Sequence, residues 1–336
     1  MKAAVIIEKG VLSVEDVPTP RAGPGEVIVK VRYCGICGSD IRLFADGFLP
    51  VGLIMGHEFC GTVSEIGQAV EGWVAGDRVT VNPAIRCGKC HYCRRGQWHH
   101  CLNSKIVGVH KETQGAFAEY VKVNADMLHR LSREVTDEAA ANVEPCAVSL
   151  RAVRNSGITV GDSVVVFGAG SIGLFVLQCA RAAGVGAVYV VEPAEGRARA
   201  AAMLGADRVF DPRQVEFSAE FNRVIGSRAD IAYVCTAFPA ALQQAVDVVR
   251  RQGRVLVVGG GMSAQVIPEY WMWKEVEVRG SFAYLDEFAL ALELFRQGKV
   301  RVDGMISDVI PLEKMPQMFQ DLSRPTYEIK VLVHPE

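Results

Sequence analysis

The sequence has no apolar run near the roughly 18 residues that a bilayer-spanning helix needs, so no membrane span is expected. It also has no excess of charge: 36 Lys and Arg face 38 Asp and Glu, a net charge of -2 at pH 7. A near-neutral chain gives no electrostatic reason to bind nucleic acid or an anionic membrane. Repeats and low-complexity linkers are absent. The opening "MKAAVIIEKG" is too short an apolar run for a secretion signal and suits the start of a strand, which predicts a cytoplasmic protein. The chain is long enough, at 336 residues, to bury one or two full cores. Against this plain background, ten cysteines need an explanation.

Four of them fall in "CGKCHYCRRGQWHHC", as Cys87, Cys90, Cys93 and Cys101. In a reducing compartment clustered cysteines are read as metal ligands before disulfides. The C-x2-C-x2-C-x7-C spacing lets four thiolates converge on one tetrahedral zinc. Lys89, Arg94 and Arg95 offset the negative charge. Four sulfurs close the shell, so this zinc is expected to be structural, and His91, His99 and His100 are expected in exposed loop. Chemistry has to lie elsewhere.

The chain changes style near residue 150. Before it, "EVIVKVRYCGIC", "CGTVSEIG", "GDRVTVNP" and "GAFAEYVKV" alternate like strands between turns, predicting a β-rich domain over 1–150 with the cysteine lobe at 87–101. After it, strand and helix patterns alternate. "DSVVVFGAGSIGLFVLQCARAAG", "AVYVVE", "GRARAAAMLGAD", "DIAYVC" and "GRVLVVGG" predict a doubly wound parallel sheet over 151–285. The tail 286–336, with amphipathic "LDEFALALELFRQGKV" and the strand "EIKVLVHP", is expected to return to the first domain. The fold class is therefore α/β.

Gly168, Gly170 and Gly173 form G-x-G-x-x-G between an apolar strand and a helix, with Glu192 about 20 residues on. Gly168 permits the tight turn, Gly170 lets a pyrophosphate approach the backbone, and Gly173 lets helix and strand pack closely. Ser171 and Ile172 open the helix whose N-terminus faces the phosphates. Glu192 would accept from the adenosine ribose hydroxyls and repel a 2′-phosphate, which favours NAD over NADP. Arg197 and Arg199 point the other way if they pair with a phosphate. As solvated helix charges, or with one guanidinium lying on the adenine, they are neutral.

A second ligand set lies in the first domain. Cys37 ends "CGIC", His57 sits in "GHE", and Glu144 opens "EPCAVSLRAV". One thiolate, one imidazole and one carboxylate, far apart in sequence, form the pattern of a zinc site with an open fourth place. Cys34 stands three residues before Cys37, but on a strand the two side chains do not share a face, so Cys34 is read as core.

With "CGICGSD", "GHE", the four-cysteine lobe, "EPCAVSL" and "GAGSIG" in this order, the sequence resembles the zinc-dependent medium-chain alcohol dehydrogenases over essentially its whole length. Glu144 in place of a cysteine brings it nearest the polyol (sorbitol-type) and threonine dehydrogenases. The resemblance implies a GroES-like β domain plus a Rossmann domain, with the active site in the cleft between them. It implies one catalytic and one structural zinc, NAD, and transfer of hydride between a secondary alcohol (polyol, diol or cyclic) and the cofactor. It implies Cys37, His57 and Glu144 as catalytic zinc ligands, Asp40 orienting the ligand histidine, Ser39 handling the substrate proton, and Glu58 beside the metal. Lys330, at the head of the last strand, is expected to reach the pyrophosphate, with an ordinary strand terminus as the alternative. A homodimer or homotetramer follows from the family alone.

One departure is Arg42, where many relatives carry a histidine that ends a proton relay; arginine is no base at neutral pH. The expected relay is shortened to Ser39 and water, with Glu58 as another exit, or Arg42 meets an anionic group. Phe44, Phe48, Leu49 and Trp271 either line an apolar substrate pocket or pack on their own domains. Two other functions compete: a zinc-stapled nucleotide-binding regulator without turnover, and a zinc-independent reductase or hydrolase on the same scaffold.

Overall fold

The computed structural model describes residues 1–213, 217–226, 228–261, 263–324 and 327–335. They form two compact units, one of Met1–Glu144, Phe288–Arg296 and Ile306–Glu336, the other of Pro145–Glu287 and Gln297–Met305.

The first unit is built on a seven-stranded sheet. Its order runs Ile306–Pro311, Lys330–His334, Glu26–Gly35, Glu58–Ile66, Arg78–Val81, Leu128–Arg130, and Tyr120–Asn124 also pairs with Glu26–Gly35. The long strand Glu26–Gly35 is the hub. Its apolar residues Val27, Val29 and Val31 are buried to 0%, 0% and 1% exposure, and Ile28 between them to 2%. β-branched side chains suit such a pleated, half-covered surface, and each fully buried one contributes about 1.5–3 kcal/mol. At its C-terminal end, Gly35 faces Glu58 across the ladder and Leu332 on the other side. The strand therefore delivers Cys37 beside two elements from opposite ends of the chain.

The second unit is a six-stranded parallel sheet in the order Arg208–Phe210, Ala187–Val191, Ser163–Phe167, Ala229–Val234, Val249–Val257, Glu277–Gly280. The central strand reads SVVVF with Val164, Val165 and Val166 fully buried, as a strand covered on both faces requires. The helix Ser171–Ala182 covers it with Leu174, Phe175, Val176 and Leu177, all fully buried. This strand order reverses direction at Ser163–Phe167, the switch point where open α/β sheets bind ligands.

Two expected boundaries move. The helix Val143–Asn155 runs through residue 150, and from Pro145 onward it belongs to the parallel-sheet unit. Ser149 Oγ donates to the Ile172 carbonyl at 3.0 Å, and Arg151 and Arg154 pair with the fully buried Glu287. The tail does not return in one piece either. Gln297–Met305 stays with the second unit because the Gln178 amide accepts from Arg301 N (2.9 Å) and donates to its carbonyl (3.2 Å). Among the described residues no helix is long and apolar enough to cross a membrane.

Candidate active site and cofactor turn

The nine-residue helix Gly38–Asp46 begins at Cys37 through a capping box. The Cys37 sulfur accepts from Ser39 N at 3.5 Å, and the Asp40 carboxylate accepts from Cys37 N at 3.0 Å. Gly47, left-handed at φ 66°, ends the helix. A helix N-terminus favours negative charge, so the cap suits a thiolate ligand. Ser39 Oγ also donates to the Cys37 sulfur at 3.1 Å.

Asp40, 2% exposed, has a second task. Its Oδ1 lies 3.3 Å from His57 Nδ1, although the alignment is too poor for a full hydrogen bond and Nδ1 has no other partner. A carboxylate behind an imidazole is the arrangement that orients a metal-binding histidine. Burial pulls the His57 imidazolium down, but Asp40 and then Cys37 outweigh it, and the ring's pKa stands well above its ordinary value. A cation bound to the imidazole competes with that proton.

Glu58 follows His57 at the start of its strand and is 1% exposed. Its Oε2 accepts from Lys330 Nζ at 2.5 Å, and Nζ also donates to the Ile36 carbonyl at 3.1 Å. Two glycines make room. A Cβ on Gly35 would stand 2.5 Å from Glu58 Oε2. One on Gly56, where φ is +98°, would stand 2.8 Å from the Cys34 sulfur and 2.9 Å from Phe117 N. Cys34 itself is fully buried, and burial raises its thiol pKa well above the usual value.

Ligand atoms of Cys37, His57 and Glu58 lie within 4.8 Å of one another. The expected third ligand was Glu144, and it is not in this group; Glu58, expected beside the metal, is. Glu144 sits half-buried in the first turn of Val143–Asn155, where its charge is felt by Lys330. The difference follows from chain position: Glu58 is adjacent to His57, while Glu144 arrives on a helix that belongs mostly to the other unit. Lys330 also departs from expectation. It is 3% exposed and bonded to Glu58 and Ile36, so its ammonium is not presented to a pyrophosphate. The signal was available: a lysine heading the apolar strand KVLV needs a buried counter-charge.

The four lobe sulfurs form a second group within 4.8 Å, and all ten cysteines are free thiols. Cys101 and Cys87 sulfurs are 3.5 Å apart, close to the roughly 3.8 Å edge of a tetrahedron with Zn–S bonds of ~2.3 Å. Backbone N–H groups of Lys89 and Cys90 bring the Cys87 thiol down to about 6. Burial and the neighbouring thiols push Cys93 up to about 12. Four sulfurs this close do not all ionise without a cation among them, so the donor set fits a tetrahedral metal. His91 instead contacts Arg95 at 2.8 Å, and no histidine joins the group.

In the second unit the glycine turn follows the strand Ser163–Phe167. Gly168 adopts φ +93°, and a Cβ on Gly173 would lie 1.8 Å from the Gly168 carbonyl, so both glycines serve the turn and its packing. Gly170 differs: a Cβ there would meet no protein atom within 4 Å, which leaves its backbone open to a ligand. Ser171 Oγ, at the head of the helix, is buried without a partner. Glu192 is 6% exposed and accepts from Ala169 N (2.8 Å) and Ala194 N (2.9 Å), which fixes its carboxylate beside the turn. An open turn, an orphaned hydroxyl and a fixed carboxylate suit a dinucleotide. Arg199 pairs with Glu195 on the surface, and Arg197 is half-buried on the same helix. The segments Cys235–Phe238, 258–261 and 281–284 follow parallel strands at the same end as the glycine turn.

The apolar residues between Cys37 and His57 mostly pack inward. Phe44 and Leu49 lie against the core of the first unit, Phe44 edge-on to Phe319 at 5.3 Å. Trp271 packs on the sheet of the second unit. Phe48, 76% exposed, and Val51, 53% exposed, face outward. Arg42 is exposed on the helix that carries Ser39.

A half-buried cysteine with a buried histidine and carboxylate in a β unit, a closed four-thiol lobe and a dinucleotide turn define a metal-dependent, dinucleotide-linked oxidoreductase. Comparison with known proteins agrees. Residues 23–133 match the alcohol dehydrogenase GroES-like domain, and 171–297 match the zinc-binding dehydrogenase domain. The chain is 33% identical to the (R,R)-butanediol dehydrogenase of Bacillus subtilis (strain 168), covering 100% of both. It is 29% identical to the sorbitol dehydrogenase of the same organism, over 100% of this chain and 97% of that one. A zinc-binding dehydrogenase from Sinorhizobium meliloti 1021, solved bound to NADP, superposes with a TM-score of 0.92 at 32% identity over 99% of each chain. The chain belongs to the zinc-binding alcohol dehydrogenase family.

Proposed function

We propose that this protein oxidises a secondary alcohol to a ketone, or runs the reverse, with NAD as hydride acceptor and with zinc at the Cys37–His57 centre. The carrying observation is the convergence of half-buried Cys37 with buried His57 and Glu58, with the Ser39 hydroxyl on the Cys37 sulfur. Zinc there supplies Lewis acidity toward a hydroxyl oxygen, which eases loss of its proton at neutral pH, and NAD accepts the hydride.

The chain's own residues handle the rest. Asp40 fixes the face that His57 presents and holds the Cys37 cap in register. Ser39, half-buried next to the sulfur, is within reach of a substrate hydroxyl bound at that centre and takes its proton toward water. Glu58 is the carboxylate that stands with Cys37 and His57, and Glu144, outside that group, is the further carboxylate proposed for the metal. The lobe holds its zinc for stability alone. Glu192 supports NAD, since its fixed carboxylate repels a 2′-phosphate; the NADP-bound relative makes this the first point to measure. NAD at least tenfold more efficient than NADP, roughly 1.4 kcal/mol, is the expected result.

The relatives point to polyols and vicinal diols as the substrate class. A panel of butanediols, linear polyols, threonine and cyclic alcohols, followed by NADH absorbance, tests the activity. Turnover of none of them, or one rather than two zinc ions in fully loaded protein, would favour the regulator or the zinc-independent scaffold. A homodimer or homotetramer in the cytoplasm completes the proposal, and sedimentation measures the assembly.

A further inference from the structure

We propose that Arg42 is a specificity-determining residue that binds an anionic group of the substrate, so that the alcohol taken at the Cys37 centre is a hydroxy acid or a phosphorylated polyol rather than a neutral diol. This rests on the dehydrogenase reading above and narrows its substrate class.

The helix Gly38–Asp46 has two faces. Asp40 is buried, and Ile41 and Phe44 pack on the core of the first unit. At roughly 3.6 residues per turn, Ser39, Arg42, Leu43 and Asp46 fall together on the opposite face. Ser39 and Leu43 are half-buried there, while Arg42 and Asp46 are exposed. Ser39 Oγ donates to the Cys37 sulfur at 3.1 Å, so this face begins at the ligand centre. Arg42 stands one turn further on, and side chains at that spacing start about 5–6 Å apart. A substrate whose hydroxyl sits beside Ser39 can therefore bring a group a few bonds from its carbinol carbon to the guanidinium.

The guanidinium is uncommitted. No hydrogen bond or ion pair joins Arg42 to any of the described residues. Asp46, four residues on, does not pair with it, whereas Glu195 and Arg199 do pair at the same spacing in the reverse order. Acid before base is the better order along a helix. The other nearby cations are occupied or distant. Lys330 is bonded to Glu58 and Ile36, and the Lys9 stem lies across Gly47, at the far end of the helix. Phe44 and Leu49, the apolar candidates for a pocket wall, are in the core instead. What the helix offers one turn from Ser39 is a planar cation whose fork of donors matches a carboxylate or a phosphate.

The test uses full-length protein with both zinc sites loaded and NAD saturating. Its substrates are a linear polyol, the aldonate and the terminal phosphate of the same carbon chain, and butanediol as a further neutral alcohol. In the wild type, kcat/KM for at least one anionic member should exceed that for the neutral polyol by about tenfold or more, the scale of one hydrogen bond to a charged group. The preference should shrink as salt rises. Whichever anionic member gains more identifies the group, carboxylate or phosphate, and either supports the inference. Arg42→Met should lower kcat/KM for that member by about 10–100-fold, chiefly through KM, and abolish the salt dependence. The neutral polyol should change by less than about threefold, as expected for an exposed side chain. Arg42→Glu should reverse the preference. Unchanged zinc content and Tm show that both variants fold.

A wild type without anionic preference overturns the inference. So does an equal loss on charged and neutral substrates in Arg42→Met, or a loss that resides in the KM for NAD, which would put Arg42 on the cofactor. Neutral alcohols turned over with no anionic preference leave the dehydrogenase reading standing and remove only the role of Arg42. Turnover of no secondary alcohol, charged or neutral, removes that reading and this inference with it.

Discussion

The two ligand groups of this protein use the same element, cysteine, in opposite ways. The lobe at 87–101 takes four thiols from fifteen consecutive residues, and among the described residues no carboxylate joins its ligand group. The centre at Cys37 takes one thiol and draws the rest from His57 and Glu58 at the head of a separate strand, with Lys330 of the C-terminal strand bonded to Glu58. The local group is saturated and can only hold. The assembled group has mixed donors, a hydroxyl at its sulfur and an ammonium on its carboxylate.

The sharpest break between them is His57→Ala. It should remove one metal ion of two and cost about 4 kcal/mol of transition-state stabilisation, roughly 10³-fold in kcat/KM, while the lobe keeps its zinc. Metal analysis and steady-state kinetics on one preparation check both halves. Next in size is Ser39→Ala, which should lower kcat by about 10²–10⁴-fold with both metals still bound; unchanged kcat would remove Ser39 from the proton path. Cys93→Ser should do the converse. Here the expected loss is stability, with Tm lower by about 5 °C or more, and turnover per folded molecule near wild type. A loss of turnover with Tm intact would mean that the lobe is not merely a staple. The smallest effect is assigned to Arg42→His. A histidine there titrates near its ordinary value of about 6.5, so the pH–rate profile should gain a limb between about pH 6 and 7.5; an unaltered profile means that position 42 is off the proton path.

The same contrast explains what could be read before the fold was in view. The lobe and the glycine turn are legible because their chemistry is written in spacing. Gly168, Gly170 and Gly173 need only a strand before them and a helix after, and the sequence supplies both. Cys37 and His57 were assigned to one ligand set by residue type and by the family resemblance, since spacing alone does not show their meeting, which depends on how Glu26–Gly35 pairs with Glu58–Ile66. The roles of Glu58 and Lys330 were hidden further still. Glu58 was placed beside the metal and Lys330 at the pyrophosphate, and only the burial of both and the bond between them reveal that each answers the other. Phe44, Leu49 and Trp271 illustrate a related limit, since apolar residues near a site satisfy a core as readily as a pocket.

One feature of the first unit links its chemistry to its folding. Asp40 ties the backbone of Cys37 to the helix Gly38–Asp46 while its other oxygen stands behind His57. Loading the centre therefore also fastens a helix of only nine residues, too short to persist on its own in water. Amide protons of Asp40 and Ile41, both bonded to the Cys37 carbonyl, become a label-free gauge of occupancy. Their exchange with solvent deuterium should quicken when the metal leaves and slow again when it returns.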